Sequence, residues 1–183
     1  MRRRLLAGLT ALLIPAALVV QPAFGAQVAG VTAVWGTFGS FAPGAGAVTY
    51  NPALVPFGAK ATSLALTGPH GTATTLIVNG LLPDRDYGAH VHLNPCGPNP
   101  ADAGPHYQDV VDPNQPSVDP AFANPHNEIW LDFHTDAHGN ALALSTVAWS
   151  FTDRHAHSIM IHDHHTHSDG TAGPRLACLN ANF

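Results

Sequence analysis

Glycine and proline interrupt this chain too often for long helices. There are 17 Gly and 16 Pro among 183 residues, spread along the sequence. In a helix interior they cost roughly 1 and 3 kcal/mol against alanine, and no convincing 3.6-residue apolar period appears. Past residue 26 the apolar residues come instead in short runs closed by Gly, Pro or Asn. Runs rich in Val, Thr, Leu and aromatics predict strands at Val31–Phe38, Ala47–Tyr50, Thr62–Thr67, Thr72–Val78, Tyr87–Leu93, Ile129–His134, Ala141–Phe151 and Ser158–His162. Turn chemistry separates them, as in Gly68-Pro69-His70-Gly71 and Asp136-Ala137-His138-Gly139-Asn140. The fold class is all-β, an antiparallel sandwich or barrel.

The N-terminus has a different composition. Arg2, Arg3 and Arg4 precede an apolar run from Leu5 to Val20, broken by Pro15, with small residues at Ala23 and Gly25. That order predicts a secretory signal peptide over residues 1–26. The run is too short for a stop-transfer span, so no membrane insertion is expected after cleavage. The arginine pair suits either Sec or twin-arginine export. Residues 27–183 are then one domain, exported to the periplasm, the cell envelope or the extracellular space. They keep four cations, Lys60, Arg85, Arg154 and Arg175, against 12 carboxylates. Nucleic-acid binding is excluded, because phosphate neutralisation needs cations this chain lacks. Cys96 and Cys178 are its only cysteines. An even pair in an exported chain reads as one disulfide, the alternative being two buried free thiols.

Histidine is the unusual residue: 13 are present, against 7 Lys and Arg together. In His90-Val91-His92 both imidazoles project from one face of a strand, with Cα atoms about 6.5–7 Å apart. From Asn94 to Asn127 the strand rhythm stops, and a connection that long in a compact domain is functional or disordered. It holds His106, within Gly104-Pro105-His106-Tyr107; His162 ends the apolar run Ser158–His162. Four imidazoles without a thiolate suit copper or zinc, and a site that must accept electrons favours copper.

Four motifs, taken in order, resemble the copper/zinc superoxide dismutase family. Leu76-Ile77-Val78-Asn79-Gly80-Leu81-Leu82-Pro83 followed by Tyr87-Gly88-Ala89-His90-Val91-His92 resembles its strand-turn-strand approach to the active site. Ala103-Gly104-Pro105-His106 is similar to the loop bearing the histidine shared between metals. Met160-Ile161-His162-Asp163 is similar to the strand end with the last copper ligand, and Gly173-Pro174-Arg175-Leu176-Ala177-Cys178 to the C-terminal signature. The resemblance implies an eight-stranded Greek-key barrel or sandwich with long active-site loops. It implies copper held by His90, His92, His106 and His162, with Arg175 attracting superoxide beside the open coordination position. His106 and Arg175 are the catalytic candidates, and the expected reaction converts superoxide to dioxygen and hydrogen peroxide. A Cys96–Cys178 disulfide would pin the long loop to the last strand.

The family's zinc site is not matched. The position eight residues past His106 is Asn114; His126 falls near a zinc-ligand place, but Ile129 stands where an aspartate belongs. Structural zinc wants four ligands, so zinc is doubtful even with Glu128 or Asp132 beside His126. The stretch from His162 to Arg175 is also shorter than in most relatives, which resembles the copper-only, bacterial exported branch. Without zinc, the second ring nitrogen of His106 needs a partner to fix its tautomer. Glu128 is the expected acceptor and Asp132 the second choice. His155, His157, His164, His165 and His167 flank the last candidate ligand, as a polar rim, a copper-capture patch or a source of positive charge at lower pH. The competing function is an exported copper-binding or sequestering protein on the same fold. Arg175 discriminates, since a storage site needs no anion guide. Oligomeric state is not legible from the sequence.

Overall fold

A computed structural model describes residues 29–183; the leader assigned to residues 1–26 lies outside them. Strands β1 (Gly30–Thr37), β3 (Lys60–Gly68), β4 (Gly71–Asn79) and β7 (Ala141–Val147) form one antiparallel sheet in the order β1-β3-β4-β7. Strands β2 (Ala47–Thr49), β9 (Arg175–Asn180), β8 (Ser158–His162), β5 (Asp86–His92) and β6 (Phe133–His134) form the second, in that order. This is a Greek-key sandwich. The barrel expectation is corrected: the two sheets of four and five strands do not close on each other.

The alternation of side chains decides which faces meet. In β3, Ala61, Ser63 and Ala65 are buried while Lys60, Thr62 and Leu64 face solvent, the pattern of a sheet covered on one side. In β5 the residues Tyr87, Ala89 and Val91 point inward and join Leu76, Val78, Ile129, Leu131, Ile159, Ile161 and Leu179 in the core between the sheets. Burying each large side chain there contributes about 1.5–3 kcal/mol. Residues of opposite parity, His90 and His92, therefore point away from the core, yet both are fully buried. Long loops cover them. The larger runs from Asn94 to Asn127 and contains one 3₁₀ turn, Pro100–Ala103; the smaller is 163–174.

Two expected strands are much shorter in the structure, and one further strand is present. Ile129–His134 contracts to β6, because Trp130 makes only an isolated bridge to His90 before the chain pairs Phe133 with Tyr87. The run Ala141–Phe151 stops at Val147, where Trp149 and Phe151 turn to pack with Tyr107. Strand β9, absent from the apolar runs read as strands and implied only by the resemblance as the last strand, lies between β2 and β8. The two cysteines are bonded, Cys96 to Cys178, with Cα atoms 5.7 Å apart, tying the 94–127 loop to β9. Among the described residues no helix is long and apolar enough to cross a membrane.

Candidate metal centre

The outward face of the five-stranded sheet gathers four imidazoles from three elements. His90 and His92 come from β5, and His162 ends β8, with Gly88 opposite His162 in the register. His106 arrives from the long loop, which returns alongside β5: Tyr107 N–H donates to Val91 O at 2.9 Å, and His106 bridges to His92. Gly88 keeps the way clear for the second loop, since a Cβ there would lie 2.5 Å from His164 O. One ring nitrogen from each of His90, His92, His106 and His162 lies within 4.8 Å of the other three.

Which nitrogen faces the centre follows from what the other one does. His90 Nε2 meets Thr166 Oγ1 at 2.6 Å, His92 Nδ1 meets Gly104 O at 3.0 Å, His106 Nδ1 meets Glu128 Oε2 at 2.8 Å, and His162 Nδ1 meets Gly173 O at 3.2 Å. Three of these partners are oxygens that can only accept. Thr166 donates its own hydroxyl proton to Asp132 Oδ1 at 2.8 Å, leaving its oxygen free to accept from His90. Each outer nitrogen is thus a donor, and each inner nitrogen carries a lone pair. His90 Nδ1 is buried with no partner, and the inner nitrogens of His92 and His162 stand 3.4 Å apart. Converging, unpartnered lone pairs in a buried place are costly without a cation between them. The residues fit a metal ion bound through imidazole nitrogen.

Electrostatics keep the rings in the ligating form. Burial, then the neighbouring imidazoles, hold His90 and His92 well below the ordinary histidine range; burial and His106 bring His162 down to about 3. Neutral imidazole is the form that binds metals.

The sequence-derived partners separate into those the fold brings in and those it does not. Glu128, buried, accepts three hydrogen bonds: from His106, from Gln108 Nε2 at 2.8 Å and from Trp130 Nε1 at 2.7 Å. Asp132, the second choice for His106, serves His90 instead, through Thr166 and through the Ala89 N–H at 3.0 Å. His126 is exposed and lies outside the imidazole group; its carbonyl accepts from Trp149 Nε1. The flanking histidines do not form one rim. His155 and His157 bond to Phe183 and Asn182 at the C-terminus, His165 to Phe133 O, and the His164 and His167 rings pair at 5.0 Å. Thr166, Gln108 and Trp130 are not legible in the sequence as members of the site, because no spacing rule connects them to the histidines.

Arg175 reaches the same place through a bulge. Along β8 and β9, Ile161 pairs with Ala177 and His162 with Arg175, so Leu176 is the extra residue. A bulge reverses the parity that follows it. Leu176 enters the core, and Arg175 shares the outward side with His162. The guanidinium donates to Pro100 O at 2.9 Å and Gly104 O at 2.7 Å. Gly104 O also accepts from His92, so one carbonyl fixes both groups. Gly104 has φ +69°, and a Cβ there would sit 2.8 Å from Asn94 Nδ2. Arg175, His106, His162, Glu128, Gln115 and Gly173 line one open cavity of about 360 Å³.

No protein-family model matches the chain, and no curated protein does. Among solved structures it is similar to the Cu/Zn superoxide dismutase from Brucella abortus, at 18% identity and a TM-score of 0.53, over 81% of this chain and 98% of that one. At that identity the likeness establishes the shared sandwich fold.

Proposed function

We propose that the protein is an exported copper-dependent superoxide dismutase, working in the periplasm, the cell envelope or outside the cell. The observation that carries this reading is the convergence of four inward imidazole lone pairs, one of them on the orphaned His90 Nδ1, with a guanidinium on the cavity that two of the rings, His106 and His162, line. His90 Nδ1 and the Nε2 atoms of His92, His106 and His162 would hold the metal. All-nitrogen, thiolate-free coordination suits copper and zinc alike, and redox chemistry selects copper. Bound copper supplies one-electron chemistry, by which one superoxide loses an electron to become dioxygen and a second gains one and two protons to become hydrogen peroxide.

The protein's own contribution lies in the surrounding residues. Arg175, fixed to Pro100 O and Gly104 O, offers positive charge at the cavity and draws in an anion as small as superoxide. It matters more in a chain of 12 carboxylates and only 7 Lys and Arg. His106 is the partly open member of the quartet, its side chain 18% exposed, against 0% for His90. With Nδ1 anchored on Glu128, its Nε2 has a single lone pair, so only when it is not coordinating the metal would that atom take a proton from cavity water and pass it to the reduced product. Thr166 and Glu128 orient His90 and His106. The disulfide fits an oxidising compartment. Superoxide is the only partner this reading requires.

The competing reading, a copper-sequestering protein, differs in what Arg175 should do. Metal analysis and superoxide consumption on the copper-loaded protein separate them. About one copper per chain with negligible zinc, and turnover largely lost in Arg175→Ala at unchanged copper content, is expected. Copper bound without superoxide consumption would assign sequestration.

A further inference from the structure

The outer face of the four-stranded sheet is uncharged. Cross-strand register sets it out in rows: Trp35, Thr62, Ile77 and Leu142 align in one, Ala33, Leu64, Thr75 and Leu144 in the next. A third row, Val31 to Thr146, is likewise apolar or threonine, and the first charge, Lys60, stands at the rim beside Asn79. Trp35 is 78% exposed, Leu142 67% and Leu144 64%; Leu64, Leu66 and Ile77 are each about two-fifths exposed. A face on water ordinarily alternates to polar residues, and this one does not. Its large side chains leave on the order of 700 Å² of apolar surface in solvent, above the largest patch of a typical monomer and near the ~800 Å² each partner of a stable complex buries.

The charges are distributed accordingly. None of the 12 carboxylates lies on β1, β3, β4 or β7; the first acidic residue in the chain is Asp84. In a net-negative chain, a face free of carboxylates is one that can meet its own copy without like-charge repulsion. A partner selected by charge would need complementary charges here, and the single lysine offers none to speak of. A membrane surface would call for a basic rim, which is also absent. An isologous contact needs only self-complementarity, and a flat sheet of Leu, Ile, Val and Thr supplies it.

We propose that a second copy of this chain packs on this face, sheet against sheet, as a two-fold homodimer. The two sheets would stand about 10 Å apart with their strands roughly aligned, and Leu64 and Leu144 would sit near the centre. The imidazole quartet lies on the outward side of the other sheet, so both cavities stay open in the dimer. This inference does not depend on the metal bound or on the reaction.

The test is sedimentation velocity on the purified, copper-loaded protein across a wide dilution series, with Leu144→Lys and Leu64→Glu beside it. Both substitutions replace exposed side chains and leave the core and the metal-binding group untouched. The wild type should have the mass of two chains at high concentration, and each variant should fall to half that mass with its copper content unchanged. If either variant fails to fold, tryptophan emission takes its place: on dilution the wild type should shift to the red, and Trp35→Phe should not. A wild type that stays monomeric at every concentration overturns the proposal, as do variants that remain dimers or an emission shift that survives in Trp35→Phe. A monomer that floats with neutral phosphatidylcholine vesicles also overturns it, and assigns the face to lipid.

Discussion

Acidifying the metal-free protein should destabilise it well before its carboxylates titrate. His90, His92 and His162 are buried neutral, with His162 held at about 3. In the unfolded chain each returns to about 6.5. Between those values the unfolded state binds protons that the folded state refuses, so stability falls as pH falls. It is fully present above about 6.5 and declines toward the folded value near 3. His162 costs about 1.4 kcal/mol per pH unit in that window, about 2 kcal/mol by pH 5, and His90 and His92, held low by the same burial, act in the same direction. Even about 2 kcal/mol is a sizeable share of the stability of a domain. Urea unfolding of the metal-free, disulfide-intact protein at a series of pH values from 7.5 to 5 measures it. The midpoint should drop steadily, and His162→Gln should make the slope shallower. Bound copper competes with these protons, so the loaded protein should respond less over the same range. A flat midpoint in the metal-free protein would refute the reasoning, because it would mean the rings are hydrated or already protonated when folded.

Other perturbations probe the groups around the imidazoles. Glu128→Gln puts a donor where three donors converge; copper affinity should fall roughly 10–100-fold, read by chelator competition. Unchanged affinity would remove Glu128 from any role in orienting His106. Thr166→Ala should free the His90 ring and weaken copper about tenfold, with Thr166→Ser restoring most of it. Replacing Cys96 and Cys178 together by serine opens a loop of sequence separation 82 and should cost roughly 4–5 kcal/mol in chemical unfolding. In superoxide kinetics, salt should slow the wild type and leave Arg175→Ala nearly insensitive, because screening acts on the charge that the variant has lost.

Strands with one wet face are legible by alternation, and the fully buried Ser158–His162 by its short apolar run. β3 and β4 alternate strictly, and their boundaries were expected to within two residues. Strand β9 is not legible from its residues, and only the resemblance implies a last strand at Cys178. Leu176, Ala177, Cys178 and Leu179 are all buried, on two faces, so Arg175–Asn180 carries no period-two signal. Its bulge at Leu176, which decides where Arg175 points, depends on pairing with β8 and leaves no mark in composition. His90 and His92 were visible together because the strand pleat puts alternate residues on one face. His106 and His162 come from segments 14 and 70 residues beyond His92 (106 − 92 and 162 − 92); only motif order suggested that they join it. Glu128 could be anticipated from the unmet second nitrogen of His106. Thr166 could not: a threonine among histidines has no signature until the 163–174 loop folds across Gly88.

Anomalous diffraction at the copper edge, on crystals of the loaded protein, tests the central claim most directly. One peak should lie among His90 Nδ1 and the Nε2 atoms of His92, His106 and His162, on the cavity that Arg175 lines. Copper seated instead on His164 and His167, or on fewer than three of the four rings, would contradict the account.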